Sequence, residues 1–515
     1  MRRNVIIEGG AYWRAPSCDE ARVLVDARDY YATFCRAALR AERSVLMSGW
    51  QFDTRMRLLQ GDDARRAGHP VEFVPFLNFL CERTASLRVL VMAWDYSAVY
   101  ALEREWMQRL RFEVKSHERV EFAFLPHAIA GGSHHQKYVV IDGVVAFCGG
   151  LDICDNRWDT TLHAPHDPAR LNADGEASKP FHDVQVAMVG EAARALEALF
   201  APRWRTASGR DLDLPDAPAA RPAWADLAAL SDDRGHALTV SSVALSRSEL
   251  CDGRDGICEV KRLFEAAIDA AERLIYIENQ YFTSRAMLQA LARRLADRAR
   301  PKLTVVLVMP DGADSPKEDF VLGDRQRAVR LALSKMAERE GHTLKVLMSV
   351  DRSDPAAPVP TFIHAKVLIV DDEFLSVGSA NLTNRSMEVD NELNTSWQAE
   401  AEEAGAALRG EIRALRGALL AEHAGSAEGS AFEPIETLAA VIDAICDDPH
   451  SKLECQDLVE PEDGDPFLIS IFDPSGEITF DALYDAIAGD IDVHDGLLRK
   501  GARKVGQRLG VVDID

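Results

Sequence analysis

"HHQKYVVIDGVVAFCGGLD", residues 134–152, aligns without a gap on "IHAKVLIVDDEFLSVGSAN", residues 363–381. His135 and Lys137 fall on His364 and Lys366, Asp142 on Asp371, and Gly149 on Gly378. A single His-x-Lys before an apolar run reads as an ordinary strand entrance. Two, with the same Asp and Gly offsets behind them, read as a duplicated unit.

The duplication extends upstream. "RSVLMSGWQFDT" (43–54) resembles "RLIYIENQYFTS" (273–284), and "LRVLVMAWD" (87–95) resembles "LTVVLVMPD" (303–311), in the same order; the first pair starts 92 residues before His135 and 91 before His364. In each half an amphipathic segment, "DARDYYATFCRAALRAER" or "CEVKRLFEAAIDAAER", precedes an apolar strand, which predicts a helix there. Runs such as "YVVI" and "KVLIV" are apolar throughout, as strands buried on both faces are. The expectation is an α/β fold of two layered domains related by a pseudo-twofold. Each would be a mixed, largely parallel sheet flanked by helices, and the two would share one central cleft. The domains are read as 1–204 and 239–425, joined by a Pro-, Ala- and Asp-rich linker at 205–238. An acidic appended region of unassigned role follows at 426–515.

Composition bounds the rest. The chain has 515 residues, 47% of them hydrophobic, and a net charge of −24. Such an acidic chain is a poor general partner for nucleic acid, although a locally basic pocket can still hold one phosphate. Its nine cysteines include no CxxC paired with histidines, which speaks against a zinc site and against a disulfide scaffold; Cys148 and Cys154 are expected to be buried thiols. The "VII" near the N-terminus is too short for a signal-peptide core, and no apolar run approaches the ~18 residues of a membrane span. A cytoplasmic or peripheral membrane protein is expected, the alternative being an effector exported without a signal peptide, and a monomer is favoured.

Two histidines in one cleft suggest a mechanism. A neutral imidazole can attack phosphorus and form a covalent intermediate, while a second protonates the leaving alcohol and then activates water. Lys137 and Lys366, each two residues beyond a histidine, would hold the non-bridging phosphate oxygens. The lysines carry the charge, so no metal or other cofactor is expected in the reaction, with calcium at most aiding contact with a membrane. Asp142 and Asp371 follow strands and are read as closing turns. His134 lacks a counterpart, since Ile363 sits there. His163 and His166 are read as members of a surface loop. Trp50, Trp94 and Trp158 could line a lipid cleft or pack in the core.

With both motifs on the page, the chain resembles the phospholipase D superfamily, whose members carry two such His-x-Lys-x4-Asp motifs; the resemblance covers about residues 20–425. The second motif ends in Gly378, Ser379 and Asn381, whereas the first has Gly150 and Asp152 in the last two places. The continuation "GGLDICDNRWD", with "PFHD" at 180–183 and "YIENQYF" at 276–282, is similar to the bacterial phospholipase D branch. The resemblance implies that each catalytic histidine is oriented by a carboxylate. It assigns Asp183 to His135 and Glu392 to His364, with His135 as nucleophile and His364 as acid and base. Asn381 would join the catalytic set, and Ser379, Gly150, Asp152, Arg157 and Asn279 would contact substrate, with Asp152 turned into a hydrogen bond with backbone or with Arg157. His182 either orients substrate or makes a structural hydrogen bond. The implied activity is hydrolysis of glycerophospholipids at a membrane surface to phosphatidic acid and free head group, with head-group exchange when an alcohol replaces water. A cardiolipin-synthase-like phosphatidyltransferase, a nuclease of the same superfamily and a silent lipid-binding module are the alternatives.

Overall fold

The computed structural model describes residues 11–458 apart from 96–104, 106, 129–131, 251–255, 311, 313–323, 401, 427 and 457. Most of the appended region, from 459 onward, lies outside the described residues.

Two large sheets of matching design dominate the described residues, with a two-stranded sheet between the halves. The first runs, in spatial order, through Val120–Leu125, Arg88–Trp94, Ser44–Gly49, Tyr138–Ile141, Val145–Gly149, Val184–Val189, Glu20–Val25 and His236–Leu238. The second repeats that order from Thr343–Asp351 through Thr304–Val308, Leu274–Glu278, Val367–Val370, Phe374–Gly378, Glu392–Gln398 and Ala244–Glu249. Seven strands thus correspond one to one, and the halves differ at the edges. Both sheets are mixed. Their parallel part is confined to three neighbouring strands joined through helices. The rest is antiparallel because each motif strand turns straight back on itself at Asp142 or Asp371.

Those two turns are copies of each other. Asp142 and Asp371 both have φ of 55°, in the left-handed region that Asp tolerates better than most residues. The Asp142 carboxylate accepts the backbone N–H groups of Glu42, Arg43 and Ser44 at 2.8–2.9 Å. Asp371 accepts those of Glu272, Arg273 and Leu274 at 2.7–2.8 Å. Each aspartate therefore ties a motif hairpin to the start of its neighbouring strand, as the turn reading expects.

The predicted helices form at Asp26–Ala38 and Glu259–Ala270, burying Tyr30, Phe34, Leu263 and Phe264 against the outer faces of their sheets. Between the sheets, Glu191–Ser208 and Ala406–Ala424 contribute Leu196, Phe200, Leu415 and Leu419 to a core that also holds Val140 and Val186 of one half and Ile369 and Val377 of the other. This shared core fixes how the halves face each other. Within 205–238, residues 236–238 pair with Glu20–Val25 and so join the first sheet. Residues 453–455 pair with Thr343–Asp351, so the start of the appended region extends the second. Among the described residues, no helix is long and apolar enough to cross a membrane.

Candidate active site

Each motif histidine is held by the opposite half. His135 donates its backbone N–H to Asn391 O at 2.9 Å, and His364 donates its own to His182 O at 2.8 Å. The residues after these two acceptors are the carboxylates Glu392 and Asp183. Strand register shows that they correspond: Gly149 pairs with Gln185 and Gly378 with Asn394, which puts Asp183 and Glu392 at equivalent positions, two residues before each partner. His135 Nδ1 lies 3.0 Å from Glu392 Oε2, and His364 Nδ1 lies 2.5 Å from Asp183 Oδ2.

The expected pairing is therefore reversed: Asp183 serves His364, and Glu392 serves His135. The cause is the parallel bridge of Phe181–His182 with Phe362–Ile363 and its counterpart between His134 and Asn391. These bridges lay the carboxylate-bearing strand of one half beside the motif of the other. His135 Nδ1 also lies 3.0 Å from the Ser379 carbonyl oxygen, which can only accept. Nδ1 therefore carries the hydrogen, and Nε2 keeps the lone pair that chemistry at phosphorus needs.

Both histidines line one cleft of about 960 Å³. Lys137 and Lys366 are buried beneath them. Each Nζ donates to the carbonyl of its own histidine, His135 O at 3.2 Å for Lys137 and His364 O for Lys366. Their remaining partners differ. Lys137 pairs with Asp152 Oδ2 at 3.0 Å, whereas Lys366 meets the neutral Gln280 Oε1 at 3.2 Å. Burial pulls the Lys366 ammonium down to about 7 against the opposing pull of Asp183. Burial, reinforced by Lys366, Arg157 and Lys137, holds the His364 imidazole well below its ordinary value. Burial also raises Asp183 to about 6, with Lys366 opposing it.

The remaining expected site residues divide into cleft and scaffold. Asn381 lines the cleft, and its buried Oδ1 makes no hydrogen bond. Asp152 is turned away: Oδ1 accepts the Trp50 N–H at 2.8 Å and Oδ2 takes Lys137. Arg157 lines the cleft with its guanidinium 4.6 Å above the Phe181 ring.

Three residues read as substrate contacts are supports. Ser379, fully buried, donates its hydroxyl to Glu392 Oε2 at 2.5 Å. Gly150 makes room, since a Cβ there would sit 2.1 Å from Asp183 Oδ1. Asn279 lies behind the cleft, accepting the Tyr281 and Leu382 N–H groups at 3.2 and 3.0 Å. His134 is structural too, with Nδ1 accepting from Asn391 Nδ2 at 2.8 Å and Nε2 facing Pro126 O at 3.0 Å.

The Trp50 and Trp94 rings, 5.6 Å apart, line the cleft, and Trp158 is core. His166 is exposed, but His163 is only 1% exposed and is no surface-loop residue, because it packs between Asp159 and Glu422. Gln280 was not foreseen as a Lys366 partner, although it lies inside the quoted "YIENQYF" block.

Residues 37–290 match the family model described as Phospholipase D, and residues 264–413 match that described as Cardiolipin synthase, PLD-like domain. The chain is similar to phospholipase D alpha 2 of Oryza sativa subsp. japonica, 26% identical over 84% of this chain and 67% of that protein. It is also similar to phospholipase D alpha 1 of Zea mays, 25% identical over 81% and 66%, and to phospholipase D1 of Saccharomyces cerevisiae, 22% identical over 71% and 26%. The chain thus spans about two thirds of the length of these plant relatives, 67% and 66%, and less of the yeast one. Among solved structures, the phosphatidylserine synthase of Haemophilus influenzae Rd KW20 aligns over 97% of this chain and 96% of its own, with a TM-score of 0.48 and 14% identity.

Proposed function

Starting from the chain's membership of the phospholipase D superfamily, a family of phosphodiesterases, we propose that it transfers the phosphatidyl group of a glycerophospholipid to water. The products are phosphatidic acid and the free head-group alcohol. His135 Nε2 attacks phosphorus as the P–O bond to the head group breaks, and His364 delivers a proton to the departing oxygen. Water then gives its proton to His364 and its oxygen to phosphorus, and the P–N bond to His135 breaks. Glu392 and Asp183 hold the two Nδ1–H groups and stabilise each imidazole when it becomes cationic. Lys137 and Lys366 offset the charge on the non-bridging oxygens. An alcohol in place of water gives head-group exchange.

One observation carries this reading: two imidazoles, each backed by a buried carboxylate, face a single cleft with a lysine beside each. The apolar lining from Trp50, Trp94, Phe181 and Phe362 suits a lipid or an alkylated amine. The net charge of −24 disfavours nucleic acid. On this reading the enzyme works peripherally on a phospholipid surface as a monomer, and calcium at most bridges its acidic surface to an anionic one.

The test is incubation with mixed phospholipid vesicles and ethanol. Phosphatidylethanol and released head group are expected; cleavage of single-stranded DNA with no lipid product would overturn the proposal. Since the lysines supply the charge in the cleft, added magnesium or calcium should leave kcat on a soluble phosphodiester unchanged. The cations around His364 favour one variant of the mechanism, because an imidazole held neutral is also fit to be the nucleophile. Quenching His364→Asn with an activated substrate and locating the phosphohistidine by mass spectrometry decides the order.

A further inference from the structure

Behind the catalytic cleft lies a second group of histidines and carboxylates that the proposed reaction does not use. Asp26, His163 and His182 come from the first half and Glu422 from Ala406–Ala424 of the second. Asp26 and His182 are fully buried, and His163 is 1% exposed. His182 Nδ1 lies 2.7 Å from Glu422 Oε1 and 3.3 Å from Asp26 Oδ1. His163 Nε2 lies 3.0 Å from Glu422 Oε1 and 3.5 Å from Asp26 Oδ2. All four donor atoms fall within 4.8 Å of one another.

We propose that these four residues form a structural site for a divalent transition-metal ion, zinc being the best match, which clamps the two halves together behind the active site. Four ligands about 2.0–2.1 Å from a tetrahedral zinc are ~3.3 Å apart; the histidine–carboxylate separations here run from 2.7 to 3.5 Å, and a small inward shift of the four donors would close the set around an ion. Two further observations point to an ion. The first is the outer shell. The second nitrogen of each ligating imidazole already faces a carboxylate, His163 Nδ1 at 2.9 Å from Asp159 Oδ2 and His182 Nε2 at 2.8 Å from Glu278 Oε2. That arrangement fixes the tautomer which leaves the inward nitrogen free to bind a metal. Asp159 is itself paired with Arg170 at 2.8 Å, and Glu278 accepts from Tyr276 and meets His423. The second is Asp26. Its Oδ1 accepts the Asp183 N–H at 3.2 Å, while Oδ2, buried and aimed into the cluster, makes no hydrogen bond.

The site sits one bond network away from catalysis. Asp26 exchanges backbone and side-chain hydrogen bonds with Asp183, and the His182 carbonyl receives the His364 N–H. These four residues are therefore positioning residues: the ion would hold the Asp183–His364 pair in register across the domain boundary without touching substrate. Without an ion, burial opposes the charged form of His163 but Asp26, Asp159 and Glu422 outweigh it, raising His163 to about 10, and the group is a proton-charged network.

Elemental analysis of the untagged full chain, purified without chelator, separates the two states. About one zinc per chain is expected to survive gel filtration, as is visible absorption of tetrahedral type after exchange for cobalt(II). Re-adding zinc to chelated protein should raise the melting temperature by about 3 °C or more. His163→Ala and Glu422→Gln should each lose the bound metal and the zinc-dependent shift. Should either variant fail to fold, the stoichiometry and zinc titration of the unaltered chain decide alone. Protein free of transition metal whose melting does not respond to micromolar zinc overturns the proposal, and so does a folded His163→Ala that keeps one zinc.

Discussion

The two halves of the cleft are built on one plan and charged differently. Lys137 is paired with a carboxylate, Asp152, while Lys366 has a neutral amide, Gln280, and Asn381 stands where Asp152 would be. Behind the histidines, Glu392 is steadied by the Ser379 hydroxyl, while Asp183 lies against the bare Gly150. A duplicated site serving one asymmetric substrate has no reason to stay symmetric. The difference leaves Lys366 with a weaker hold on its proton than its ordinary value, under burial and with Asp183 opposing, while Lys137 has Asp152 beside it.

The harshest test is to remove either histidine. His135→Ala and His364→Ala should each lower kcat/KM at least ~10⁴-fold, and the double variant should fall little further, because the pair acts as one unit. Head-group release, read beside unaltered melting curves, checks this; a folded single variant with substantial activity would refute the pairing of roles.

Next come the crossed carboxylates. Glu392→Gln and Asp183→Asn should cost ~10²–10⁴-fold in kcat, as expected when a histidine loses its orienting anion. Gly150→Ala should imitate Asp183→Asn, because its methyl group takes the place of Asp183 Oδ1. Ser379→Ala, which removes one hydrogen bond to Glu392 and the acceptor of the Leu393 N–H, should be about tenfold impaired. If Gly150→Ala matched wild type in kcat, the contact would not govern His364.

The lysine asymmetry should appear in the pH profile. Phosphate needs the Lys366 ammonium, so kcat/KM should fall through an alkaline limb starting near about 7. A bound phosphate raises that pKa, and the limb in kcat should lie higher. Asn381→Asp, which makes the halves alike, should move the kcat/KM limb upward and raise KM; an unmoved limb would assign it to another group. Stability runs oppositely. Between about 7 and the ordinary 10.5, the unfolded chain binds the proton that folded Lys366 sheds, so this residue's contribution to stability rises with pH.

The smallest difference lies in the hairpin aspartates. Asp142 is 3% exposed and Asp371 more open. Asp142→Ala, which orphans three N–H groups, should cost about 3 kcal/mol, and Asp371→Ala about half that, since water reaches its donors. Denaturant unfolding compares them; equal losses would remove the distinction.

How much of this was legible in the sequence depends on the range of each interaction. The repeat, the helix at Asp26–Ala38 and the turn role of Asp142 follow from local pattern, because hydrogen bonds within one half impose the same spacing in both. Which carboxylate serves which histidine did not follow. Asp183 is 48 residues from His135 along the chain and 181 from His364, yet it touches the latter. That choice is made by the shared core between the sheets, to which no single segment holds the key. Ser379 and Gly150 were misread for a related reason. Sequence places them beside the motif, but only the fold shows that they face a carboxylate and not the cleft. His163, in a stretch rich in Ala, Pro and Asp, has the composition of a surface loop, and its burial depends on Glu422, 259 residues away.

The crossing of the carboxylates also bears on ancestry and on engineering. Neither half contains both a motif histidine and the carboxylate that faces it, so a single ancestral half would have needed a second copy, each lending its acid to the other. Gene fusion would then have freed the two acids to diverge into Asp183 and Glu392. The dependence can be put to use: severing the chain between 209 and 224 should give two fragments, each lacking half of both histidine–carboxylate pairs, whose turnover returns only when they associate, so that activity would report the encounter of whatever the fragments are fused to.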